Sequence, residues 1–350
     1  MKEAVLYEKK ENNMVRCVAC KHYCTIPKNS TGVCAIRYNK EGKLYLLTYG
    51  KTCAAHIDPI EKKPLYHFLP GTDVFSIGTF GCNFSCQFCQ NWSISQTPKH
   101  EKLKNPEDQL RRITRLIDNN SDTVLPEYAV QYCKNNGIPS IAYTYNEPTV
   151  FVEYAHDTAV IAKKEGIKNV FVSSGYETEE TMEYMKGLID AANIDLKSFS
   201  DSFYRKLCKT ELQKVLDTIK SIKKRNIWME ITTLIIPGKN DGKEELRQLA
   251  EFIASVDKNI PWHVTAFHPD YKMLSSPSTT PETLRKAHDI GKEAGLSYVY
   301  TGNIPGIEYE NTFCPECNEV LIKRFGMRVQ ENNIVNSKCQ KCGAKIHGIF

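Results

Sequence analysis

From residue 73 onward, short apolar runs rich in β-branched and aromatic residues alternate with helical stretches, and no other feature restricts the fold so sharply. The pattern predicts strands over 73–80, 139–145, 168–174, 191–196, 227–236 and 262–268, with a seventh over 297–301. Helices are expected over 106–117, 124–135, 148–164, 177–189, 211–224, 242–256 and 280–294. Such alternation makes right-handed βαβ units on a parallel sheet, open or barrel-like, whose chemistry sits at the carboxyl ends of the strands. Within the polar stretch 100–123, Asn105-Pro106-Glu107-Asp108 reads as a helix start: a cap, Pro in the first turn, then acids.

Cysteine spacing is the second constraint. The 350 residues include 14 cysteines. They fall into Cys17, Cys20, Cys24 and Cys34; Cys82, Cys86 and Cys89; and Cys314, Cys317, Cys339 and Cys342, with Cys53, Cys133 and Cys208 alone. Gaps of two and three residues let thiolates converge on metal, whereas disulfide frameworks belong mainly to short secreted chains. The start, Met1-Lys2-Glu3-Ala4-Val5, has no apolar leader, and no apolar run approaches a membrane span. The expected setting is therefore the reducing cytoplasm, with no membrane association. At 41% hydrophobic and 25% charged residues, disordered and collagen-like classes are excluded.

The net charge of +5 is uneven: residues 1–67 hold 12 Lys/Arg against 6 Asp/Glu, and residues 314–350 hold 6 against 3. Basic ends suit an acidic partner or a nucleic acid, but aromatic and basic residues are not interleaved as RNA readers require. Three regions follow: a four-Cys module over 1–57, a core over 58–306 and a CxxC…CxxC module over 307–350.

The C-terminal pairs Cys314-Pro315-Glu316-Cys317 and Cys339-Gln340-Lys341-Cys342, 21 residues apart, predict two knuckles on one tetrahedral ion. Zinc is expected there, with rubredoxin-type iron as the alternative. A short tail has little core of its own, so the metal would supply its folding free energy. Cys17, Cys20, Cys24 and Cys34 match neither a zinc ribbon nor a two-cluster ferredoxin run, and leave zinc or an auxiliary iron–sulfur cluster open.

Strand 73–80 runs into Gly81-Cys82-Asn83-Phe84-Ser85-Cys86-Gln87-Phe88-Cys89. Three cysteines are too few to close a structural zinc site, but suit a [4Fe–4S] cluster that keeps one iron open. This loop resembles the radical S-adenosylmethionine (SAM) superfamily, whose motif is CxxxCxΦxC with Φ aromatic; Phe88 fills Φ. The resemblance implies a partial (β/α)6 TIM-like barrel of the α/β class, to which the cysteine spacing adds small Cys-rich metal modules at both ends. It also implies a cluster whose open iron binds the methionine part of SAM. Reductive cleavage would then give methionine and a 5′-deoxyadenosyl radical that abstracts hydrogen from an unidentified substrate.

By the same resemblance, Tyr143 through Thr149 occupies the family's Gly-Gly-Glu position without the glycines, making Asn146 and Glu147 acceptors for the SAM amine. The pair also reads as a helix cap before Pro148. Ser173 ends the third strand, where activating enzymes of glycyl-radical enzymes carry an Asp before the small-residue turn; Val172 stands there instead. Asp195-Leu196-Lys197 matches an Asp-x-Lys of pyruvate formate-lyase activating enzyme, suiting a ribose hydroxyl and a carboxylate, or else an interior salt bridge. His268 lies at the turn after the sixth strand, a candidate for SAM or substrate contact.

Asp58 through Leu65, His67 through Gly71, Gly81 through Trp92, Tyr143 through Thr149 and Tyr298 through Cys314 together look like one subfamily, the radical SAM member of the "AmmeMemoRadiSam" system. Implied partners are SAM, a ferredoxin or flavodoxin reductant, and a protein substrate if the chain activates a glycyl-radical enzyme. Radical modification of a small molecule or RNA is the rival within that chemistry; a non-catalytic metal-binding scaffold is the rival outside it.

Overall fold

The computed structural model describes residues 1–304 and 308–350, so Pro305 and Gly306 of the subfamily stretch, and the expected boundary at 306/307, lie outside the described residues. The chain forms two compact units: Met1–Asp58 with Val74–Asp190, and Pro59–Asp73 with Ala191–Phe350.

In the first unit, β1 (Asp73–Gly78), β2 (Ser140–Tyr143) and β3 (Lys168–Ser173) run parallel, with Val74 opposite Ser140 and Ser140 opposite Lys168. Every residue of β2 is buried, as expected of a parallel strand covered on both faces. Ahead of β1 lie two small antiparallel sheets, one joining 7–9, 15–17 and 25–26, the other joining 2–3, 43–46, 37–40 and 30–31.

In the second unit, β4 (Ala191–Asp195), β5 (Trp228–Ile235), β6 (Trp262–Ala266) and β7 (Val299–Gly302) are again parallel neighbours. Helices Leu212–Lys224, Lys243–Asp257 and Pro281–Glu293 connect them; Thr280 caps the last by accepting the Thr283 N–H. An antiparallel ribbon of 312–313, 320–325 and 328–332 follows. Parallel strands alternating with helices are the repeat of the expected partial (β/α) barrel, and the α/β class stands.

Two local expectations shift. The Asn105 side chain accepts the N–H groups of Glu107 and Asp108 in a turn, so the helix begins later, at Gln109–Asn119. The helix Thr97–Lys104 was not expected, because the side chains it turns inward are lysines rather than an apolar stripe.

Candidate metal and cofactor site

Three consecutive strand ends of the first unit carry the candidate residues. Beyond β1 comes the cysteine loop, in which the Phe84 N–H donates to Cys82 Sγ (3.3 Å) and Cys89 Sγ lies 3.1 Å from Ser95 Oγ. Burial pushes the Cys82 thiol well above its ordinary range, with the Lys99 cation pulling the other way. Cys82, Cys86 and Phe88 are buried, and Cys89 half-buried.

Lys99, which the sequence reading missed, sits behind this loop. Its ammonium donates to the Phe84 carbonyl, to Ser85 Oγ (2.9 Å) and to Gln96 Oε1 (3.2 Å). Burial lowers its pKa, while the charges of Cys82, Cys86, Cys34 and Cys89 would act to raise it.

Asn146, beyond β2, faces the start of the loop. Its Oδ1 accepts the Thr79 N–H (3.1 Å) and its Nδ2 donates to the Gly81 carbonyl (2.7 Å), clamping the chain that leads into Cys82. Where the family pattern has glycines, Tyr145 takes a left-handed φ of 67° and packs on Gly78, whose absent Cβ would stand 2.9 Å from Tyr145 Cβ.

Glu147 is buried and caps the turn Pro148–Phe151. Its carboxylate meets Thr149 Oγ1 (2.8 Å), Ser173 Oγ (2.8 Å) and the Ser174 N–H (2.9 Å). Ser173 Oγ also lies 2.5 Å from Glu177. A hydroxyl has one proton to give, so bridging two carboxyls requires one of them to be protonated. Burial and the Glu177 charge raise Glu147 to about 7, so the proton belongs to the Glu147–Glu177 pair.

In the second unit, Lys197 Nζ lies 2.8 Å from Asp195 Oδ2 at the end of β4, forming the expected same-face pair. The Lys197 N–H donates to Tyr204 Oη (2.9 Å). His268 is exposed beyond β6.

All fourteen cysteines are free of disulfides. Cys314, Cys317, Cys339 and Cys342 bring their sulfurs within 4.8 Å of one another, with 3.6 Å between Cys314 and Cys342 and 3.7 Å between Cys317 and Cys339. Tetrahedral bonds of about 2.3 Å put sulfurs roughly 3.8 Å apart, so this set fits a single ion. Left-handed Asn318 and Gly343 turn the two knuckles, donating back to the carbonyls of Cys314 and Cys339. Cys17, Cys20, Cys24 and Cys34 line one cavity together with Arg37.

Residues 76–253 match the family described as the Radical SAM superfamily. The chain is 43% identical over 349 residues to the uncharacterized protein MJ0808 of Methanocaldococcus jannaschii, covering 99% of each. It is 20% identical over 233 residues to the pyruvate formate-lyase 1-activating enzyme of Escherichia coli, covering 63% of this chain and 89% of that enzyme. A crystallised domain of pyruvate-formate lyase-activating enzyme from Bacteroides vulgatus aligns with a TM-score of 0.42 and 19% identity, over 46% of this chain and 98% of that domain.

Proposed function

The chain belongs to the radical SAM superfamily, and from that premise we propose that it cleaves SAM reductively to abstract hydrogen from a glycine in a partner protein. It is a radical SAM enzyme. The observation that carries the reading is the three-thiol loop at the end of β1, held by Asn146 and backed by Lys99. That donor set suits the family's [4Fe–4S] cluster: three thiols with one sulfur already bonded to a backbone N–H, and a glycine entering the loop. When bound there, the cluster supplies the electron that splits the SAM sulfonium into methionine and a 5′-deoxyadenosyl radical.

The chain's own residues then bind and orient. Glu147 would receive the SAM ammonium, giving up its proton as it does so. Ser173 would hold that carboxyl in place. Asp195 would take a ribose hydroxyl, Lys197 a carboxylate, Phe88 would pack beside the cluster, and His268 would meet SAM or substrate. The modules 1–57 and 307–350 would flank the 58–306 core as metal sites, zinc being the expected ion of the latter. A cytoplasmic setting with a ferredoxin- or flavodoxin-type donor suits this many reduced thiols.

The glycine substrate is supported by the relatives named as activating enzymes of pyruvate formate-lyase. Anaerobic protein with SAM and dithionite should release 5′-deoxyadenosine and methionine, and Cys82→Ala should abolish both. Full release by Cys82→Ala overturns the chemistry. Failure of any glycyl-radical protein to acquire a glycyl radical, read by electron paramagnetic resonance, overturns the choice of substrate.

A further inference from the structure

The N-terminal quartet and the cysteine loop are neighbours within the first unit. A Cβ on Gly81 would stand 2.8 Å from the Cys34 carbonyl oxygen and 2.7 Å from Ile36 Cγ2. The His22 ring, two residues beyond Cys20, donates through Nε2 to the Asn83 carbonyl (3.0 Å), next to Cys82. The helix Thr97–Lys104 joins the same two places from one face, three residues apart: Lys99 reaches the loop at Ser85 Oγ, and Lys102 reaches the carbonyls of Thr31 (2.7 Å) and Gly32 (3.1 Å) between Cys24 and Cys34.

The quartet shares one enclosure. All four cysteines line one cavity, and Gly32 leaves room beside Cys24 Sγ, 3.6 Å from where its Cβ would be. Buried Arg37, bonded to Glu153, forms part of the wall. The spacing of the four cysteines along the chain is not that of the zinc-ribbon pairs at the C-terminus, and they lie against the cysteine loop, where an electron carrier has a partner to reduce.

We infer that Cys17, Cys20, Cys24 and Cys34 hold a second iron–sulfur cluster, which relays electrons to the cluster on Cys82, Cys86 and Cys89. The relay builds on the SAM-cleaving reading above; occupancy of the quartet does not depend on it. One electron enters from a low-potential donor of the ferredoxin or flavodoxin class and passes to the loop cluster. The second cluster is reoxidised as the loop cluster is reduced, and no bond or proton moves. The electron then goes to the SAM sulfonium, whose sulfur–C5′ bond breaks.

The test uses full-length protein purified anaerobically, comparing wild type with the triple variant Cys82→Ala, Cys86→Ala, Cys89→Ala. The triple variant should keep iron and sulfide in equal amounts and give an electron paramagnetic resonance signal after dithionite, unchanged by SAM. Adding Cys20→Ser and Cys24→Ser should remove both. Should the triple variant misfold, wild type alone decides: two reduced signals are expected, only one of them shifted by SAM. A single, wholly SAM-responsive signal, or zinc with no iron in a folded triple variant, overturns the second cluster while SAM cleavage stands. Wild type without any iron overturns the SAM-cleaving reading as well.

Discussion

The Cβ that Gly81 lacks would lie 2.8 Å from the backbone oxygen of Cys34, so the loop bearing Cys82 starts in contact with the N-terminal quartet. Gly81 also has a φ of 92°, which L side chains rarely adopt. Gly81→Ala therefore faces two penalties. Backbone strain costs on the order of 1–3 kcal/mol, and relieving the contact adds to it. Gly166→Ala isolates the first, since its φ is 74° and nothing lies within 4 Å of its Cβ position. Thermal melts should show the larger loss for Gly81→Ala, together with reduced iron incorporation. Equal losses in the two variants would show that the contact carries no weight.

Glu147 gives a pH signature. Its folded pKa, about 7, is above the ordinary 4.5 because of burial and Glu177. The stability it contributes is complete below about 4.5 and is lost as pH rises through about 7. Glu147→Gln keeps the shape without the charge, so its melting temperature should fall less than that of wild type between pH 5 and pH 8. Parallel curves would remove Glu147 as the buried acid.

His67 titrates with the opposite sign. It is fully buried; Nδ1 donates to the His347 carbonyl (2.6 Å) and Nε2 accepts from Tyr300 Oη (2.5 Å). Burial lowers its pKa to about 4, against a raising effect from Glu230 and lowering ones from Arg324 and His263. Its contribution is complete above about 6.5 and is lost as pH falls through about 4, roughly 3 kcal/mol between pH 7 and pH 4. Denaturant titrations of wild type and His67→Gln should diverge over that window. A constant difference would contradict the assignment.

Metal loss should act locally at the C-terminus. Cys314 and Cys339 belong to a small core with Tyr298, Tyr300, Leu321 and Ile346. Cys339→Ser should remove one metal equivalent and strip amide-exchange protection from residues 312–350, and a chelator should do the same to wild type. Retained protection after verified metal loss would mean that the ribbon folds without an ion.

Strands and helices were readable in the sequence because their periods are local: the six strands expected from 73 to 268 appear within a few residues of their predicted bounds. Tyr145 shows the limit. β2 ends two residues early, where this side chain takes a conformation normally left to glycine. The cap at Glu147 was readable in the sequence, but not the clamp that Asn146 puts on the cysteine loop or the bonds of Glu147 to Ser173 and Ser174. Both depend on partners from other strands. Lys99 carried no signal, since a lysine in a polar helix ordinarily faces water.

The sequence by itself determined the alternating fold and the grouping of the cysteines, because both are set by spacing along the chain. Only the tertiary structure decided which groups are neighbours. Gly81 admits the Cys34 backbone for want of a Cβ, and a helix with lysines three residues apart ties both cysteine loops together. Those are steric and electrostatic facts between segments far apart in the chain, which no local pattern encodes.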